Sequence, residues 1–382
     1  MIDINKSSAR SYFFAFSLLI TLAMPMGIGG YTLSYIYSIF IVFIITLFFI
    51  VNNHIVISLK RLSIVVSFVV LVLVCAFFSS SEIYSFWEYR EYARIPIMIV
   101  SFYYISNNVN CTVKSTSFLL SMLVLLDFMI FYLWPSGALS KQLMLLVAMP
   151  GMNDYLDSYW RHIGIGGNPN VSSLIYAINI LIAINILKYN QYYGVNHTFK
   201  WFLILSVSIS IFLCLMTFSR TGIISCLLAI YLTINNKIKW SSLLLAVLIL
   251  SYLSFPELWQ PILERFTSFS SLEARTQHWS LLTQNFSIFR LMFGSPFEVD
   301  VIDNDYLYLL FRFGLVFLLI TVGLLFYIWG RIGCEVRREL YFSLILFVLI
   351  SAIPGGPLTS PKIYTFIVLF GSLIAYKKLN KL

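Results

Sequence analysis

Charge is what this sequence has least of. Only 11% of its 382 residues are Asp, Glu, Lys or Arg, against 60% that are hydrophobic. A soluble domain carries about 25% charged residues, so too few are present to cover a water-facing surface, and a soluble globular fold is excluded. Paired cysteines are missing as well. Cys75, Cys111, Cys214, Cys226 and Cys334 lie in apolar runs or short basic connections without paired spacing. That excludes a disulfide framework and a cysteine-type zinc site. Nucleic acid is not a partner either, because the net charge of +9 is spread over short connections between apolar segments. Such a distribution reports membrane topology.

What is there is apolar length. Mean hydropathy is +0.88, and a membrane-spanning helix needs about 20 mostly apolar residues. Twelve such runs are predicted, near 11–26, 31–51, 62–80, 92–106, 115–134, 169–188, 201–218, 221–235, 240–255, 306–329, 340–353 and 363–376. The expected fold class is an all-α polytopic membrane protein, with residues 1–382 forming a single integral membrane domain. The first run follows Lys6 and Arg10, but no small-x-small cleavage site comes after it and another apolar run begins within a few residues. It reads as a retained helix and not as a removed signal peptide.

Basic residues orient the spans. With both termini in the cytoplasm, the inner side holds Lys6, Arg10, Lys60, Arg61, Lys114, Arg337, Arg338 and the C-terminal lysines, and very few acids. The outer side is richer in Asp and Glu, and Asp127 is left within a span. The outer cations are mostly arginine: Arg90, Arg94, Arg161, Arg220, Arg265, Arg275, Arg290 and Arg312. Lysine suffices as a topological point charge, whereas arginine offers a planar fork that grips phosphate bidentately. Arginine on the face where positive charge is disfavoured points to an anionic ligand, although most of these side chains are expected to pair with the outer acids.

Two outer segments are long, 135–168 and the larger 256–305. Apolar residues such as Leu258, Trp259, Ile262, Leu263, Phe266 and Phe269 are spaced for short helices lying in the membrane interface.

Four local patterns stand out, all on the outer side. The first is Arg161-His162-Ile163-Gly164, followed by Gly166-Gly167-Asn168-Pro169-Asn170. Its glycines permit close backbone approach, and Asn168 or Asn170 can cap the next helix, whose amides favour an anion. The second is Ser219-Arg220-Thr221-Gly222, the whole connection between two spans. The third centres on Arg275, in Glu273-Ala274-Arg275-Thr276-Gln277-His278-Trp279. The fourth is Asp303-Asn304-Asp305-Tyr306-Leu307, with Arg312 and Gly314 on the helix that follows. A carboxylate there can cap the helix, which accounts for one of Asp303 and Asp305 but not for both.

In order and sidedness these patterns, from Arg161 to Gly314, resemble the O-antigen polymerase and O-antigen ligase superfamily of bacterial envelope enzymes. The resemblance implies a glycosyltransferase of the inner membrane whose site faces the periplasm. Its donor and acceptor would be undecaprenyl-diphosphate-linked oligosaccharides, with membrane lipid around it and a chain-length-regulating membrane protein as a further partner. Arg161, Arg220 and Arg275 would contact the donor diphosphate, and the residue at 303 would serve the acceptor. Ligases typically carry histidine in that place, so Asp303 disfavours the ligase and is compatible with the polymerase. Asp303 is the first candidate for general base and Asp305 the second. His162, His278, Asn168, Asn170, Asn304, Tyr306 and Arg312 are candidate supporting residues. Asp303-Asn304-Asp305 also spells the Asp-x-Asp of metal-dependent glycosyltransferases, but nucleotide sugars are cytoplasmic and this motif is predicted outside. Neither metal nor cofactor is expected. The alternatives are a ligase transferring polysaccharide to lipid A–core, and a lipid-linked oligosaccharide flippase or transporter.

Overall fold

In a computed structural model the described residues are 6–23, 59–79, 109–133, 162–234, 287–294 and 304–375, with a few isolated positions between them. Their regular structure is all helical, with no strand among them. The helices are α1 (Lys6–Ala23), α2 (Leu59–Ser79), α3 (Val109–Phe128), α4 (Pro169–Lys188), α5 (Asn190–Tyr193) and α6 (His197–Met216). They continue with α7 (Arg220–Thr233), α8 (Ile288–Phe293), α9 (Asp305–Arg331), α10 (Glu335–Ser351) and α11 (Pro361–Ile374). Four of them, α3, α4, α6 and α9, are long and apolar enough to cross a membrane. Apolar side chains also face outward: Leu205 on α6 is 53% exposed and Phe77 on α2 is 78% exposed. Water would penalise such faces and hydrocarbon does not. The chain is a helical membrane protein. The predicted runs at 31–51, 92–106 and 240–255, and most of both long outer segments, lie outside the described residues.

The chain divides into two compact units, Leu120–Gln284 and a second made of Met1–Leu119 with Asn285–Leu382. In the first, α4 is the centre and packs on α6 and α7. It is buried on nearly every side, whereas α6 buries only one stripe. Halfway along α4, the Asn179 side-chain amide donates to Ser206 (2.8 Å) and Ser210 (2.9 Å) on α6, and its oxygen accepts from Ser121 on α3 (3.2 Å). Small polar residues let the helices approach closely, and an amide among apolar surroundings has its hydrogen bonds met between helices.

In the other unit α9 packs on α2, α8, α10 and α11. The span predicted over 306–329 lies within α9, which is long and apolar enough to cross a membrane. Helix α9 breaks at Gly314, which adopts φ 86° and ψ 166°. The cause lies in α8, which ends at Gly294 (φ 89°) with its backbone against Arg312 and Phe313, while Gly314 lies against Met292 and Gly294. A Cβ on either glycine would strike the partner's backbone. Tyr89 closes the break from another side, its hydroxyl donating to the Phe313 carbonyl at 3.3 Å.

Candidate functional site

Two helices of the first unit begin side by side. Asn168 caps α4, its side chain accepting from the Asn170 amide at 2.8 Å, with Pro169 in the first helical position. Ser219 caps α7, accepting from the Gly222 amide at 3.2 Å. The two caps are joined, because the Ser219 hydroxyl donates to the Asn170 side-chain oxygen at 2.6 Å. Close approach is enforced by sequence: a Cβ on Gly222 would fall 2.5 Å from Cβ of Ser173.

The turn leading into α7 is equally tight. Thr217, Phe218 and Ser219 reverse the chain between α6 and α7, with Phe218 forced to φ 46°. A bulky residue in this region costs about 1–3 kcal/mol. The turn is held by hydrogen bonds from the Thr217 amide to Leu213 and from the Phe218 amide to Leu215. Its effect is to set Arg220, half-buried, in the first position of α7. Each helix start carries roughly half a positive charge. Two such starts thus lie side by side, with Arg220 as the first residue of one of them, an arrangement that favours an anion.

The glycine-rich loop before α4 is bound to this end of the unit at several points. The His162 amide donates to the Met216 carbonyl at 3.0 Å. The Gly166 amide donates to the Ser172 hydroxyl at 2.8 Å, and that hydroxyl donates to the Ile163 carbonyl. Gly164 (φ 62°) and Gly167 (φ 72°) make the bend, and a Cβ on Gly166 would lie 2.5 Å from the Ser172 nitrogen.

Beneath the loop lies a polar cluster that the sequence did not reveal. Asp127, read from sequence as a charge within a span, stands at the end of α3, where a π-helical turn, Met129–Leu133, follows. Its Oδ2 accepts from the Tyr176 hydroxyl, and His162 Nε2 lies 3.4 Å away. His162 Nε2 is also 2.9 Å from the Tyr176 hydroxyl, and the Ile165 amide approaches Asp127 at 3.4 Å. Asp127, His162 and Tyr176 are all buried, and Tyr132 stacks obliquely near the imidazole. The cluster fixes the orientation of His162 and, with it, the chain immediately after Arg161. The contact between residues 127 and 162 is nonlocal, and the only signal for it was an Asp too costly to leave unpaired in a span.

In the other unit the 303–307 motif builds a second arrangement. Asn304 caps α9, accepting from the Leu307 amide at 3.1 Å. The carboxylate cap expected there is therefore supplied by an asparagine. Asp305, 1% exposed, turns back instead onto the 352–360 connection between α10 and α11. Its Oδ1 accepts from the Gly356 amide (2.8 Å) and the Thr359 hydroxyl (2.6 Å), and its Oδ2 from the amides of Leu358 (2.7 Å) and Thr359 (3.3 Å). Both oxygens are thus used in holding the connection. Tyr306 donates to the Leu349 carbonyl at 2.6 Å, and the Arg312 guanidinium sits over the Tyr308 ring at 5.5 Å.

Of the residues singled out from sequence, His162, Asn168, Asn170 and Arg220 thus come together in one unit, and Asn304, Asp305, Tyr306 and Arg312 in the other. Arg161, Arg275, His278 and Asp303 lie outside the described residues. Compared with family models, with curated proteins and with solved structures, the chain shows no match in any of the three.

Proposed function

We propose that this protein is a glycosyltransferase of the O-antigen polymerase type, joining undecaprenyl-diphosphate-linked repeat units at the periplasmic face of the bacterial inner membrane. The reading assumes about twelve spans with both termini cytoplasmic. Its main support is the joined start of α4 and α7, two helix N-termini that favour an anion, with Arg220 as the first residue of α7. The ends of α3, α4, α6 and α7 that meet there are the ends that the basic-residue pattern assigns to the outer side.

In the reaction, an acceptor hydroxyl oxygen bonds to the anomeric carbon of the donor sugar as that carbon's bond to the lipid diphosphate breaks. The electron pair leaves with the diphosphate, and the hydroxyl proton passes to a base. Diphosphate is a good leaving group, so charge stabilisation by Arg220, Arg161, Arg275 and the helix starts is the main requirement. A single displacement inverts the anomeric centre. Asp303 is proposed as the base: it precedes the cap residue of α9, and its neighbour Asp305 is already occupied by the 356–359 amides. His162, held by Asp127 and Tyr176, positions the loop that carries Arg161.

Deletion and substitution in the host test the reading. Loss of a polymerase leaves lipid A–core capped by one repeat unit, and Arg220→Ala or Arg275→Ala, at normal expression, gives the same single-unit product. Bare core after deletion supports a ligase instead, and unchanged long chains from both variants would remove these arginines from the site.

A further inference from the structure

Lys362 has no role in the reading above. It is 4% exposed, and its Nζ has no hydrogen-bond partner among the described residues. It is the second residue of α11, after the cap Ser360 and Pro361. Helical side chains lean toward the N-terminus of their helix, so this ammonium is carried back toward the start of α11, where the helix is already positive. Asp305, which holds the stretch just before α11, is taken up by the amides of Gly356, Leu358 and Thr359 and the Thr359 hydroxyl. Nor does the side chain snorkel, since its terminal atom is buried. A buried lysine beside a positive helix end, with no counter-charge shown among the described residues, is costly to keep charged. An anion bound there removes the cost.

We propose that Lys362 and the first turn of α11 form a second anion site, which takes the phosphate groups of the lipid-linked acceptor. The inference rests on the polymerase reading, because that reaction brings two lipid diphosphates to one face. One departs as leaving group and gathers charge; the other stays attached to the acceptor and needs only to be positioned. Arginine forks suit the first task, and a lysine point charge suffices for the second. The site also adjoins the start of α9, since the Asp305 amide donates to the Ala352 carbonyl and its carboxylate holds Leu358 and Thr359.

The test is native mass spectrometry of the full chain in lipid nanodiscs, titrated with undecaprenyl diphosphate. Wild type is expected to bind two lipids, Lys362→Arg two, and Lys362→Met one, with the lost site weakened about 10- to 100-fold, the range of one charge-assisted hydrogen bond. Arg220→Ala is expected to lose the other lipid. Thermal melting checks folding: without lipid, Lys362→Met should melt at or above wild type, and Lys362→Gln replaces it if the methionine variant misfolds. Two lipids retained by Lys362→Met overturn the inference and leave the donor site standing. No lipid bound by folded wild type overturns both. Displacement of the Lys362-dependent lipid by phosphatidylglycerol at equal concentration overturns the acceptor assignment and makes the site one for bulk lipid headgroups.

Discussion

Replacing Asp305 separates a structural carboxylate from a catalytic one. Its four hydrogen bonds fall in two pairs, Gly356 amide and Thr359 hydroxyl on Oδ1, Leu358 and Thr359 amides on Oδ2. Asparagine keeps one oxygen and offers a donor in place of the other. With its NH2 group at the Oδ2 position, it would face two amide donors. Turned over, it faces only the Gly356 amide, because the Thr359 hydroxyl can rotate to accept. The better orientation leaves one buried donor unmet, about 1–3 kcal/mol, and loses the charge on the remaining bonds, so Asp305→Asn should cost about 2–4 kcal/mol. Alanine leaves every partner unmet and should cost about 4 kcal/mol or more. Melting of detergent-solubilised protein, followed by fluorescence or by size-exclusion after heating, reads the order wild type, Asn, Ala. Equal stability of Asp305→Ala and wild type would refute the loop-holding role and return Asp305 to the list of bases.

Gly314→Ala should destabilise by about 3 kcal/mol or more, since its φ of 86° suits glycine and the added Cβ meets the backbone of Met292 and Gly294; the same melting assay checks it, and a wild-type midpoint speaks against the glycine–glycine contact. Asp127→Ala should remove the carboxylate from His162 and Tyr176 and free the Ile165 amide. Amide exchange across 163–167 should then rise at least tenfold, from about 1.4 kcal/mol or more of lost local stability; unchanged protection means that the carboxylate does not hold the loop.

Local signals made α4 legible almost residue by residue. Asn168-Pro169 carries both a cap and a first-turn proline, and the apolar run after it ends at Lys188. Ser219 and Asn304 were within reach by the same reasoning, although Asn304 takes the cap that its flanking aspartates had been expected to supply. The break in α9 was not legible, because Gly314 stands well inside a long, mostly apolar run and the reason for its conformation is Gly294, twenty residues earlier and outside the helix. The partners of Asp127 and Asp305 were hidden for the same reason, lying 35 to 54 residues away in sequence. Lys362 falls in the short connection between the predicted runs 340–353 and 363–376, and its burial comes from packing that no local pattern encodes.

Reconstituted polymerisation tests the central claim most directly. Purified protein in liposomes, supplied with an undecaprenyl-diphosphate-linked repeat unit, should yield products of two and more units together with released undecaprenyl diphosphate, and Arg220→Ala should yield neither while remaining folded. Folded wild-type protein that never lengthens the lipid-linked unit, or an Arg220→Ala variant that lengthens it at the wild-type rate, would contradict the claim that a lipid diphosphate is held where α4 and α7 begin.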